Sequence, residues 1–112
     1  MVPVIARAVE FIAKPGRTEE LRNHIFETVT PLLRQRSGFI RTIVLNSDEE
    51  PRRVVAVTFW SSSEEHTRAP WEESTLVRKL LSPLVDVWPR VRTYKADLSR
   101  KTDEEAMAWT AC

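Results

Sequence analysis

The chain has 112 residues, enough for one domain with a modest hydrophobic core. Hydrophobic residues make up 42% and charged residues 29%, an ordinary globular composition, and 17 basic against 16 acidic side chains leave a formal net charge of +1. That balance gives no footprint for nucleic acid or a membrane surface, the two glycines exclude a glycine-rich phosphate loop, and the single cysteine, Cys112, excludes an internal disulfide or a cysteine-rich zinc site.

The first residues, MVPVIARAVEF, carry no basic stretch ahead of an apolar run, so no signal peptide is expected, and no apolar run approaches a membrane span. With one cysteine, a reducing, cytoplasmic setting is the expectation. Residues 4–11, VIARAVEF, are short and rich in small and β-branched side chains, which predicts a strand. KPGR at 14–17 is a turn signal, after which Thr18 is placed to cap a helix with Glu19 and Glu20 in its first turn. Leu21, Ile25, Val29, Leu32 and Leu33 form one apolar stripe at helical spacing; Pro31 should bend or break that helix, and Gly38 is placed to end it. Residues 39–45, FIRTIVL, predict a second strand, NSDEEP a hairpin turn, and residues 53–60, RVVAVTFW, a third strand. The serine run that follows satisfies the S-x-x-E capping box twice, at Ser61–Glu64 and Ser62–Glu65, so it reads as a helix start and not as a nucleophile. Pro70 divides the second helical region, whose longer piece is predicted over 71–81. SPLVDVWP at 82–89 reads as a proline-bounded connector, and residues 91–98, VRTYKADL, as the fourth strand; 99–112 is a polar tail ending near Met107 and Trp109.

This order, β-α-β-β-α-β, predicts an α+β, ferredoxin-like domain over residues 1–98: a four-stranded antiparallel sheet with both helices on one face. The uncovered face should then read polar, yet strands two and three are apolar on both sides. A second subunit's sheet is the expected cover, giving a twofold homodimer.

The strand order, the KPG turn before helix one, the Gly38-Phe39 start of strand two, and the W-S-S-S-E-E run at 60–65 followed by a broken helix resemble the antibiotic biosynthesis monooxygenase family. The resemblance covers about residues 4–98. It implies a dimeric α+β barrel, with small-molecule pockets between sheet and helices. It also implies one of several behaviours: cofactor-free oxidation of phenols or quinols by oxygen, haem degradation, or no catalysis. Trp60 matches a tryptophan that recurs in the family and lines the substrate pocket of some members. The haem branch uses a helical histidine, a strand-one asparagine and a second helical tryptophan. Residues 71–89 contain no histidine and strand one no asparagine, so that branch fits poorly and no cofactor is expected.

Trp60 is therefore a candidate pocket wall against a planar ligand, or a large core residue. His66 is the candidate catalytic base for a phenolic proton, or an exposed first-turn histidine. His24 is a candidate lining residue from helix one, or a boundary side chain. Tyr94 could donate to a ligand carbonyl or fill the core. Arg7 and Arg41 could anchor an anionic oxygen, or pair with Glu10 or Asp97 at an edge. The two histidines lack ligand neighbours at helical spacing, so no metal site is expected. Two readings follow: a cofactor-independent monooxygenase acting on a small aromatic, phenolic or quinol-like compound, and a non-catalytic dimeric small-molecule-binding or stress-response protein on the same scaffold.

Overall fold

The computed structural model describes residues 4–61 and 70–96, with Trp88 described by its backbone alone. The elements run β1 (Val4–Ala13), α1 (Thr18–His24), a π-helical turn (Ile25–Val29), α2 (Thr30–Leu33), β2 (Phe39–Asn46) and β3 (Arg53–Trp60). After residue 70 come a 3-10 turn (Trp71–Glu73), α3 (Thr75–Leu81), a second 3-10 turn (Ser82–Leu84) and β4 (Val85–Ala96). All strand pairs are antiparallel, in the order β2-β3-β1-β4. This is the expected ferredoxin-like α+β sheet.

One face of the sheet is covered by helices. Val9, Phe11 and Ala13 of β1 alternate inward with Val54, Ala56 and Trp60 of β3, and they meet Leu21, Ile25, Val29, Leu33, Trp71, Val77 and Leu81 in one core. The helical stripe of Leu21, Ile25, Val29 and Leu33 is buried as its spacing predicts. Pro31 leaves the expected mark. A proline ring meets the carbonyl four residues back in a regular α-helix. Here the wider π turn comes directly before α2, and the buried Thr30 hydroxyl donates to the Ile25 carbonyl at 2.7 Å.

Three local expectations are corrected. Thr18 does not cap α1; its hydroxyl donates to the Pro51 carbonyl at 3.2 Å, and Arg17 holds the cap position without a side-chain capping bond, its guanidinium pairing with Glu20 instead. The helix expected over 71–81 is broken at Ser74, whose side chain caps α3 by accepting from the Val77 N–H. The connector at 82–89 is largely strand, because β4 begins at Val85. Pro89 is tolerated there for two reasons: among the described strands β4 lies at the edge of the sheet, and the register slips between the pairs Ile12↔Val87 and Glu10↔Arg90. The serine-run cap beyond Ser61 and the tail at 99–112 lie outside the described residues.

Among the described residues, the other face of the sheet carries no helix. Ile43, Leu45, Val87 and Tyr94 are exposed on it, around the half-buried Val55, Val57 and Phe59. Arg41, Arg90 and Arg92 are exposed at its margins, and Arg53 pairs there with Glu10 at 2.8 Å.

Candidate functional site

Strand register sets the chemistry of the helix-covered face level by level. Thr42 of β2, Thr58 of β3, Arg7 of β1 and Thr93 of β4 stand directly opposite one another, a polar row across the whole sheet. The parallel row of Val44, Ala56, Val9 and Val91 is wholly apolar. The polar row crosses the covered face within the one hydrophobic core, with apolar side chains on both sides of it. Beyond it lie Phe39, Trp60 and Ile5, where β3 finishes and the chain leaves for residues 62–69.

Thr58 is fully buried at the middle of the row. Its hydroxyl oxygen accepts from Trp60 Nε1 at 2.9 Å and from Trp71 Nε1 at 3.1 Å, and its own proton is directed to the Arg7 carbonyl at 3.4 Å. A threonine hydroxyl has one donor and two acceptor lone pairs, so this one is saturated. Trp60 and Trp71 are 3% and 1% exposed, and neither indole N–H could be left without a partner there. Phe39 meets Trp60 edge to face, with ring centroids 5.3 Å apart.

The residue after Trp71 is fastened as well. Arg7 Nε donates to Glu72 Oε1 at 2.8 Å and Arg7 Nη2 to Oε2 at 2.6 Å, a bidentate pair. Glu72 is 2% exposed and Arg7 12%. Consecutive residues of the 3-10 turn thus grip neighbouring strands, one through an indole and one through a carboxylate. At the other end of the 62–69 segment, the Ser61 N–H donates to the Gly38 carbonyl at 2.8 Å. On β4 the covered face is open, with Thr93 and Lys95 exposed beside Arg7 and Ile5.

The sequence candidates fall in three places. Trp60 lies in the buried cluster. Arg41 and Tyr94 lie on the helix-free face, Arg41 opposite Phe59 and Tyr94 opposite Ala6, so the sheet separates both from Trp60. His24 ends α1, half-buried, with Nδ1 3.2 Å from the Glu20 carbonyl oxygen. His66 lies outside the described residues. Of the partners suggested for Arg7, Glu10 pairs with Arg53 instead and Asp97 lies outside the described residues; Arg7 pairs with Glu72, which sequence reading passed over together with Thr58. The available signal was a charged residue inside an apolar strand: Arg7 needed a buried acid, and Glu72 directly follows a large aromatic. Among the described residues, no three His, Cys, Asp or Glu side chains gather to hold a metal ion. No helix among them is long and apolar enough to cross a membrane.

Residues 4–79 match the family model for antibiotic biosynthesis monooxygenases. No curated protein matches the chain. Solved structures share the fold at low identity. A candidate antibiotic biosynthesis monooxygenase from Bordetella bronchiseptica is 21% identical, with a TM-score of 0.73 over 85% of this chain and 98% of its own. A Shewanella oneidensis protein is 24% identical, with a TM-score of 0.65 over 86% and 93%. A Streptomyces coelicolor monooxygenase solved in complex with nanaomycin D is 19% identical, with a TM-score of 0.69 over 85% and 88%.

Proposed function

Because this chain belongs to the antibiotic biosynthesis monooxygenase family, we propose that it is a cofactor-independent monooxygenase acting on a small phenolic or quinol-like compound, and that it works as a homodimer joined through the helix-free sheet face. The observation that carries the reading is the match of residues 4–79 to the family model, with Trp60 at the strand end where the resemblance implies a pocket tryptophan. Flat aromatic walls with few polar groups suit planar ligands. In such a reaction the ionised phenol supplies the electrons. In an anthrone the ring methylene becomes a carbonyl, and in a hydroquinone a ring C–H becomes C–OH as the ring is oxidised to the quinone; in each, one oxygen atom enters the product and the second leaves as water with two hydrogens of the substrate. His66 is the proposed base for the phenolic proton. Trp60 is the proposed wall, while Arg41 and Tyr94 on the opposite face are assigned to the dimer interface rather than to this pocket.

A second reading, non-catalytic ligand binding on the same dimeric scaffold, is favoured by one feature. The ionisable side chains bonded into the cluster, Arg7 and Glu72, neutralise each other and leave no described base beside the tryptophans. Oxygen uptake separates the two. The panel is anthrone and substituted hydroquinones, without added metal or flavin, with nanaomycin D as a binding probe. Uptake that falls in Trp60→Phe and His66→Ala supports the enzyme. No uptake with any compound, alongside measurable binding, supports the second reading.

A further inference from the structure

The helix-free face is divided lengthwise by size and by charge. β3 presents Val55, Val57 and Phe59, and directly opposite them β1 presents Glu10, Ala8 and Ala6. β2 adds Ile43 and Leu45 at one edge, while β4 adds Arg90, Arg92 and Tyr94 at the other. At the end of the β4 side nearest the β2–β3 turn lies a cavity of about 290 Å³, lined by Glu10, Ile12, Arg53, Val87 and Arg90. Glu10 is taken by Arg53, and Arg90 makes no ion pair among the described residues. The β2–β3 turn carries Asp48, Glu49 and Glu50, all exposed and likewise without an ion pair among those residues.

Two copies can lie face to face with the twofold axis running across the strands or along them. An axis across the strands sets each β4 on the partner's β4, so Arg90 and Arg92 meet the same two arginines. It also stacks the bulky row of β3 on the partner's β3, and the small Ala6 and Ala8 on the partner's β1. An axis along the strands sets β2 on the partner's β4 and β3 on the partner's β1. Val57 and Phe59 then rest on the partner's Ala8 and Ala6, and Arg41 comes over the partner's Tyr94, a cation on an aromatic ring. The acidic turn arrives over the partner's cavity. Size and charge are complementary in this arrangement and clash in the other. We infer that the axis runs along the strands and that the cavity at Arg90 receives the Asp48–Glu50 turn of a second copy, once in each direction across the dimer. This rests on the homodimer proposed above.

The arrangement fixes a distance. With strands about 4.8 Å apart and sheets about 10 Å apart, an axis along the strands brings the two turns of the dimer within about 20 Å, whereas an axis across them holds the turns more than about 30 Å apart. Pro51→Cys in a Cys112→Ser background puts one spin label on each turn for electron paramagnetic resonance. A separation under about 20 Å is expected, and a longer one would overturn the arrangement. Arg90→Glu should raise the dimer Kd about tenfold in analytical ultracentrifugation, and so should Asp48→Lys, Glu49→Lys and Glu50→Lys made together. Combining the two sets reverses both sides of the contact and should return Kd to within about threefold of wild type. Separate variants that dimerise like wild type, or a combined variant no better than either, would overturn the contact between turn and cavity. A wild type that stays monomeric at every concentration overturns the homodimer itself. A dimer with the wrong label distance or without charge coupling leaves the homodimer standing and overturns only the pairing of turn and cavity.

Discussion

Replacing Glu72 by methionine leaves the Arg7 guanidinium in a site built for a carboxylate. Both charges are largely out of water, at 12% and 2% exposure, and two hydrogen bonds of 2.8 and 2.6 Å are lost together. Removing one member of a buried pair costs about 3–5 kcal/mol. The residual exposure of Arg7 places Glu72→Met near the lower end, at about 3 kcal/mol. At roughly 2.1 cal/mol/K per residue the unfolding entropy of this chain is about 0.24 kcal/mol/K, so Tm falls by about 13 °C. Arg7→Met strands the more deeply buried Glu72 and should cost at least as much. The double variant replaces the pair with apolar side chains of similar length and should return to within about 1 kcal/mol of wild type. Arg17–Glu20, with both side chains about half exposed, is the internal control, and Glu20→Met should cost under about 0.5 kcal/mol. Urea denaturation followed by circular dichroism, at one fixed protein concentration so that subunit association does not vary, measures all four variants. Single variants that each cost less than about 1 kcal/mol, or a double variant that costs the sum of the singles, would refute the coupling.

Phe59→Asp puts a charge in the middle of the helix-free face and should convert a dimer to a monomer in size-exclusion chromatography with its helical signal unchanged; an unaltered elution volume would place the interface elsewhere. Ser74→Ala removes the α3 cap, and because the bond to Val77 N–H is long, at 3.5 Å, the expected loss is about 0.5–1 kcal/mol in urea titration. Gly16 has a φ of +76° with open space around an added Cβ, so Gly16→Ala should cost about 1 kcal/mol from backbone strain alone, and Gly16→Asn clearly less.

The order of elements was readable because the apolar stripe of α1 and the alternation of β1 to β3 are local patterns, and local periodicity reports which face is buried. Pro31 was also legible, since a proline inside a helix has few ways out. Pro89 misled, because its tolerance depends on lying in an edge strand at a register slip, and neither condition exists until the sheet is assembled. Trp60 was identifiable as a large aromatic at a strand end, and the family resemblance gave it a role. Its hydrogen-bond partner was not identifiable, because Thr58 in VVAVTFW looks like an ordinary β-branched strand residue. Glu72 stood at the start of the helix predicted over 71–81, where nothing local marks a carboxylate as buried. Only the fold, which brings positions 7 and 72 together, turns that carboxylate into a buried partner. Arg41 and Tyr94 were grouped with Trp60 because sequence alone gives each strand two faces but does not say which faces align across the sheet.

The central position of β1 bears on how the chain is made. Of the four strands of the sheet β1 is made before the others, yet it pairs with β3 and with β4, the last of the four. At about 5–20 residues per second, several seconds pass between the synthesis of β1 and that of its final neighbour. VIARAVEFIA is unpaired until β3 is made, and its other edge stays open until β4 follows, so a strongly β-forming segment of the type that joins other nascent chains is exposed for the whole interval. Arg7 and Glu10 are the only charges in it, and the residues that later hold them, Glu72 and Arg53, have yet to be made or brought close. While the strand waits, both charges stay hydrated and interrupt its apolar surface. When the sheet closes, each is taken up by its partner. The arginine that fastens the finished site thus also guards the unfinished strand.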